Sequence, residues 1–299
     1  MSMGPGASAA PAAGRLSPPP PPSPLPVPAF GGSRSRTERP RPRTPADTSA
    51  SPTTPWSADP YSDALRTGQG PLYLRRPDGW LLPLDVERWC ARADAADLEA
   101  LRRCEGAVLD VGCGPGRLVA ELAALGRPAL GIDVSEAAVA HTVRLGGQAL
   151  HRSVFEPLPG EGRWDTALLI DGNVGIGGDP AALLRRMSQL LAPAGLLIVE
   201  AVPGMDVDER VDVHVVRVAD AHGAAGPAFP WARLGAPALL RHAARAGWRP
   251  DGQWEAGGRS FVALRNRSTS SNAEPPNNAA VISSQRDRNP SPDRPVADR

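Results

Sequence analysis

The sequence predicts an α/β protein built on a doubly wound, mostly parallel sheet. Three observations carry this expectation. Short apolar runs alternate with amphipathic helical stretches through the middle of the 299-residue chain. Most of the early runs end in a break rich in Gly, Asp or Ser. The intervening helical stretches are long enough to cross over between parallel neighbours, as strict β–α alternation requires.

The elements follow in order. Ala107–Val111 (AVLDV) reads as a fully buried parallel strand, and Gly112–Gly116 breaks it. Leu118, Leu122 and Leu125 then recur at helical spacing until Gly126 closes the helix. Ala129–Val134 (ALGIDV) is a second strand. Ser135 can cap the next helix, which carries Val139 and Val143 and stops at Gly146-Gly147. Ala149–Val154 is a weaker third strand and Thr166–Ile170 (TALLI) a clear fourth. Asp179-Pro180 pairs a cap with a first-turn proline, and Leu183, Met187, Leu190 and Leu191 line one face of that helix. Gly195–Val202 is a fifth strand and Pro237–Ala246 a further helix. Trp248–Trp254 and Arg259–Leu264 are two last strands, antiparallel to each other across Gly257-Gly258.

Composition sets the boundaries. Of 35 prolines, 15 lie in residues 1–55 and 5 in 266–299. Residues 17–28 (SPPPPPSPLPVP) favour polyproline II and 33–45 add a short basic stretch, so 1–55 reads as a disordered tail or a mis-assigned start. Residues 266–299 read as a second disordered tail. Between them, 56–105 is expected to be an N-terminal helical or lid segment and 106–265 the main domain. Within that domain, 203–234 interrupts the alternation as a candidate acceptor-site insertion. The tails carry charges of +4 and +1, while the middle carries −4, without the basic footprint of a nucleic-acid binder. No apolar run is long enough for a membrane span, and no secretory h-region is evident. The three cysteines Cys90, Cys104 and Cys113 lack metal-ligand spacing and fit a reducing cytoplasm.

In parallel sheets of this kind ligands bind beyond the carboxyl ends of the strands, near the switch in strand order. That directs attention to Gly112–Gly116, Asp133, Ser153–Phe155 and Asp171–Gly178. Val108–Arg117 (VLDVGCGPGR) carries G-x-G-x-G, in which Arg117 falls where dinucleotide enzymes place their third glycine. Asp133, in Gly131–Ser135 (GIDVS), stands 21 residues after Gly112, close to the offset at which an acid meets ribose hydroxyls. Trp164–Pro180 (WDTALLIDGNVGIGGDP) ends a strand in Asp171 and a Gly/Asn-rich loop, and Leu183–Glu200 follows as helix, L-x-P-x-G and strand.

In this order these pieces resemble the class I S-adenosylmethionine-dependent methyltransferases over about 94–265. The resemblance implies a seven-stranded Rossmann-like sheet and S-adenosyl-L-methionine as cofactor. It implies that Gly112, Cys113, Gly114 and Gly116 form the cofactor loop, Asp133 takes the ribose and Val134 packs on adenine. Asp110 would orient the amino-acid end, and Asp171 would stand near the reacting methyl. Many members carry an Asp after the third strand. Here the stretch is Ser153-Val154-Phe155, so Val154 or Phe155 packs on adenine and Ser153 is left to hydrogen-bond.

Asp171 and His214 are the catalytic candidates. The alternative for Asp171 is a turn residue, and for His214 or His222 an exposed loop histidine. Phe229-Pro230-Trp231 either walls an acceptor pocket or anchors its loop. Tyr61, Tyr73, Trp80 and Arg66 are candidate lid contacts. The expected function is methyl transfer to a small-molecule acceptor, without a metal, nucleic acid or membrane. A non-catalytic cofactor-binding module and a NAD(P)-dependent reductase are the alternatives.

Overall fold

The computed structural model describes residues 59–217 and 227–267. The tail 1–55, residues 268–299 of the C-terminal tail and His222 lie outside the described residues, whereas Asn266, expected to start that tail, is buried and bonded to the Ser188 and Gly195 carbonyls.

The main sheet has seven strands: β3 (Val108–Val111), β4 (Ala129–Asp133), β5 (Ala149–His151), β6 (Trp164–Leu169), β7 (Leu191–Ala201), β10 (Arg249–Ala256) and β11 (Arg259–Arg265). Their order is β10-β11-β7-β6-β3-β4-β5. Strands β3 to β7 pair in parallel, and β11 runs antiparallel to both β7 and β10. The seven-stranded sheet and its reversed C-terminal pair are those the sequence predicts. Strand order turns at β3, which pairs with β4 on one side and β6 on the other, so the switch-point crevice opens above Gly112.

Helices α3 (Ala95–Arg103), α4 (Arg117–Ala124), α5 (Glu136–Arg144), α6 (Pro180–Leu190) and α7 (Ala236–Arg245) complete the frame. Alternate strand residues feed opposite cores. Leu109, Leu169, Leu197 and Val199 pack with Leu183, Met187 and Leu239 of α6 and α7. Val108, Leu168, Ile198 and Phe261 pack with Leu101 and Leu122 of α3 and α4. The period of two along a strand makes this division. The expected caps form: Ser135 accepts from Ala138 N–H, and Asp179 from Ala181 and Ala182 N–H. The face of α5 differs from expectation. Val143 is exposed, and Ala138 and Thr142 are the buried positions instead.

The segment 56–105, described from residue 59, combines three helices with a strand pair. After α1 (Asp59–Thr67) it forms β1 (Leu72–Arg75) and β2 (Leu81–Leu84), then α2 (Val86–Cys90) and α3. The insertion 203–234 contributes β8 (Asp208–Val216) and β9 (Phe229–Leu234). These four strands make a second, antiparallel sheet in the order β2-β1-β8-β9. Its inner face buries Leu72, Leu74, Val213, Val215, Phe229 and Trp231 against Tyr61, Ala64 and Leu65 of α1. No helix among the described residues is long and apolar enough to cross a membrane.

Candidate active site

The cofactor-loop candidates are fixed by backbone contacts at the strand ends. Gly112 and Cys113 N–H both donate to the Ile132 carbonyl, at 2.9 and 3.0 Å. Asn173 closes the turn from the other side, its Nδ2 donating to the Val111 and Gly112 carbonyls at 2.9 Å each. Gly112 has φ = 70°, and a Cβ there would lie 2.7 Å from Asn173 Nδ2, so both backbone angle and contact demand glycine. Asp133 accepts from Gly114 N–H at 2.9 Å through Oδ2 and from Ser135 N–H at 2.8 Å through Oδ1. Burial raises its pKa, and the backbone donors pull against that rise. Each carboxylate oxygen has a second lone pair for an incoming hydroxyl. Two histidines brace these loops. His141 Nδ1 meets the Pro115 carbonyl at 2.8 Å and His151 Nε2 the Val134 carbonyl at 2.9 Å.

Above the loops lies a cavity of about 270 Å³ between the end of the main sheet and the inner face of the second. One side is Val111–Pro115, Ile132–Val134 and Arg152–Phe155. The other is apolar, with Leu84, Trp89, Ile176, Phe229, Pro230 and Trp231. Tyr61 also borders it, 6.5 Å from Trp89 in an edge-on contact, and burial holds its hydroxyl pKa well above the usual value.

Beneath the cavity floor is a buried network of three guanidiniums and three carboxylates. Arg117 grips Asp97 through Nε and Nη2 at 2.8 and 2.9 Å, and Asp171 through Nη1 at 2.6 Å. Arg88 Nη2 reaches Asp171 at 2.7 Å. Arg259 bridges Asp97 at 2.7 Å and Glu200 at 2.9 and 2.7 Å. Glu200 in turn accepts from Asp171 N–H at 2.8 Å, fixing a residue with φ = 59°. Burial alone would raise the carboxyl pKa values; the arginines reverse that, lowering Asp171 and bringing Asp97 to about 2. Asp110 stands apart. It is almost wholly buried, its Oδ2 has no partner among the described residues, and burial pushes its pKa up to about 7.

The structure brings Gly112, Cys113, Gly114, Asp133, Val134, Val154, Phe155 and Asp171 to one cavity. Two loop candidates sit behind it. Gly116 starts α4, where a Cβ would lie 2.3 Å from Thr142 Oγ1, so its role is packing of α4 on α5. Asp110 lies within β3, beneath the wall.

The two catalytic candidates are placed differently. Asp171 lines the cavity, but its carboxylate is held by Arg88 and Arg117 with a lowered pKa, which suits a fixed anion rather than a proton acceptor. His214 does not line the cavity. It alternates with the inward Val213 and Val215 along β8, because successive strand residues face opposite ways. Of the lid candidates, Tyr61 reaches the cavity. Tyr73 and Trp80 do not line it, and Arg66 pairs with Asp63 on the surface. Phe229, Pro230 and Trp231 do wall the cavity. Sequence reasoning missed Leu84, Trp89, Arg117 and Arg152 in the wall, and Arg88, Asp97, Glu200 and Arg259 beneath it. The arginine of the glycine loop itself, Arg117, was the one signal available for the network.

The profile of the methyltransferase-domain family matches residues 84–245, more than half of the chain. The chain belongs to that family. It carries a methyltransferase domain. A ubiquinone biosynthesis O-methyltransferase from Caulobacter sp. (strain K31) is 32% identical over 169 residues, 50% of this chain and 66% of that protein, so just under two thirds of the relative's length is spanned. In fold, the chain is similar to an S-adenosylmethionine-dependent methyltransferase from Bacteroides fragilis solved with S-adenosylhomocysteine. That likeness has a TM-score of 0.59 and 21% identity, over 71% of this chain and 96% of that one.

The residues of this methyltransferase fit the family's cofactor. Around Gly114 a Cβ would meet only Tyr61 Oη, at 3.8 Å, so the loop leaves open space where a ligand backbone contact belongs. Asp133 keeps acceptor capacity for ribose hydroxyls, and the Asp110 Oδ2 is an unmet buried acceptor beneath the loop.

Proposed function

We propose that this methyltransferase transfers a methyl group to a nucleophilic atom of a small-molecule acceptor bound in the cavity between the two sheets. The observation that carries the reading is the continuity of that cavity: it joins the Gly112–Pro115 loop and Asp133 directly to an apolar wall. When bound, S-adenosylmethionine would supply a methyl carbon on a positive sulfur, to be taken by an acceptor lone pair with the C–S pair returning to sulfur and any acceptor proton passing to solvent.

The chain's own residues hold and orient. Asp133 accepts the ribose hydroxyls with its remaining lone pairs. Val134, Val154 and Phe155 enclose the adenine. Gly112 to Gly114 bring the backbone close to the amino-acid end, with Asp110 as the buried acidic partner of that end. Asp171 fixes the loop after β6 in place rather than taking a proton. Among the described residues that line the cavity no group is a free base: Cys113 and Tyr61 hold their protons tightly, Asp171 is bound by arginines, and Asp133 faces the ribose. Alignment of the acceptor and exclusion of water therefore supply the rate, in a cavity walled largely by apolar side chains. The segment 203–234 serves as the acceptor-site insertion, through Phe229 and Trp231. Free thiols at Cys90, Cys104 and Cys113 suit a reducing, cytoplasmic setting.

Calorimetric titration of the full chain with S-adenosylmethionine and S-adenosylhomocysteine, with NADPH as control, tests the reading. Asp133→Ala is expected to weaken both sulfur compounds by about 1–3 kcal/mol, roughly five- to 150-fold. Absence of binding to either would refute it.

A further inference from the structure

The acceptor side of the cavity has a definite chemistry. Its wall is Leu84 of β2, Trp89 of α2, Ile176 of the loop after β6, and Phe229 and Trp231 of β9. Phe229 and Trp231 are set edge to face, with centroids 6.2 Å apart. The Gly/Asn-rich loop is fitted to this wall. Ile176 forms a β-bridge with Trp231. A Cβ on Gly175 would lie 2.6 Å from the Trp231 ring, one on Gly177 2.8 Å from the Phe155 ring, and one on Gly178 2.6 Å from Pro230. These glycines let the loop lie directly on the aromatic rings, so loop and β9 form one surface.

The apolar wall itself carries no charged side chain among the described residues, and the charged groups that border the cavity, Arg117, Asp133, Arg152 and Asp171, belong to the cofactor side. Arg117 and Asp171 pair at 2.6 Å, and Asp133 is bonded to Gly114 and Ser135 N–H. Arg152 is exposed at the cofactor-side rim, beside Ser153–Phe155, and donates through Nη1 to the Pro157 carbonyl at 3.0 Å. A carboxylate, phosphate or ammonium group on the acceptor would be desolvated against the apolar wall without a counter-charge there, which is strongly unfavourable. A flat uncharged ring instead gains edge and face contacts with the surrounding aromatics.

We propose that the wall formed by Leu84, Trp89, Ile176, Phe229 and Trp231 binds the acceptor as an uncharged aromatic ring, with Trp231 and Phe229 as its specificity-determining residues. This rests on the methyl-transfer reading for its biological meaning, but it is tested separately. The probes are 2-naphthol and 2-naphthoate, which share a ring system and differ in charge. Each is titrated into the full chain, alone and with saturating S-adenosylhomocysteine, and followed by tryptophan fluorescence and calorimetry. The expected result is binding of 2-naphthol at least about tenfold tighter than 2-naphthoate. Trp231→Leu and the milder Phe229→Leu are each expected to weaken 2-naphthol by about tenfold. Their S-adenosylhomocysteine affinity stays at the wild-type value, which also reports that they fold. Equal or tighter binding of 2-naphthoate overturns the proposal, as does 2-naphthol affinity unmoved in both variants. If S-adenosylhomocysteine fails to bind the wild-type chain, the methyl-transfer reading falls. The wall is then judged on the titrations of the protein alone.

Discussion

Asp97 offers the sharpest test of the buried network. Its side chain is fully enclosed, accepts from Arg117 at 2.8 and 2.9 Å and from Arg259 at 2.7 Å, and also caps its own helix with Asp94. Asp97→Asn keeps the shape and removes the charge. The arginines lower the Asp97 pKa from 3.8 to about 2 against the opposing effect of burial. At about 1.4 kcal/mol per unit, neutralising the group while keeping it as an acceptor costs about 2 kcal/mol. Leaving two buried guanidiniums short of an anion raises the expected loss to about 3–5 kcal/mol. For a folded unit of this size that is a fall in Tm of roughly 6–20 °C. Urea unfolding at pH 7, followed by circular dichroism, measures it. Glu99→Gln is the control, since Glu99 sits on the same helix with Arg102 and Arg103 at the surface. Because the folded pKa of Asp97 is depressed, its contribution is complete above about pH 4 and fades as pH falls towards 2. The gap between wild type and Asp97→Asn should narrow over that window. A loss under about 1 kcal/mol at pH 7, or one equal to that of Glu99→Gln, would refute the view that Asp97 is the counter-ion on which the network turns.

Two further perturbations probe the groups around it. Asp110 has its folded pKa raised from 3.8 to about 7, so the ligand-free protein loses stability as pH rises between those values. Asp110→Asn removes that slope, by up to about 4 kcal/mol as an upper bound; parallel pH–stability curves for variant and wild type would count against it. Asp171→Asn should lower methyl transfer by disturbing the loop between Glu200 and Arg117, yet leave the shape of the kcat pH profile between pH 6 and 9 unchanged. Loss of the acidic limb, the rise in kcat with increasing pH, would restore Asp171 as a proton acceptor.

Much of this molecule is readable from its sequence because the signals are local. The glycines after β3, the acid at the end of β4 and the Asp179-Pro180 cap each declare themselves within a few residues, and each stands at the strand end or helix start where its local pattern places it. The second sheet is not readable in the same way. The strand β8 is not assigned from the sequence, and nothing near Val211, Val213 and Val215 says that its partner is β1, with Tyr73 beside Val216. The network is still less visible, since Arg88, Asp97, Arg117, Asp171, Glu200 and Arg259 meet only after the sheet is assembled. Surface charges and buried ones look alike in a sequence with this many arginines. His214 fails for a related reason: a histidine on a strand has two faces to choose from, and its neighbours Val213 and Val215 already occupy the inward one.

The two sides of the cavity therefore differ in origin as well as in chemistry. The cofactor side comes from consecutive β–α units, where each loop directly follows its own strand. The acceptor side comes from α2, β2 and β9, which precede and interrupt that alternation and are brought together by sheet pairing. Asp171 lies where they join. Its carboxylate ties Arg88 of α2 to Arg117 of the cofactor loop, and its backbone N–H is fixed by Glu200 of β7. Two residues further on, Asn173 clamps the turn at Gly112, and Ile176 bridges to Trp231. One short loop thus sets the distance between the place where a methyl donor would sit and the wall proposed to receive the acceptor. For an in-line displacement that distance governs the rate.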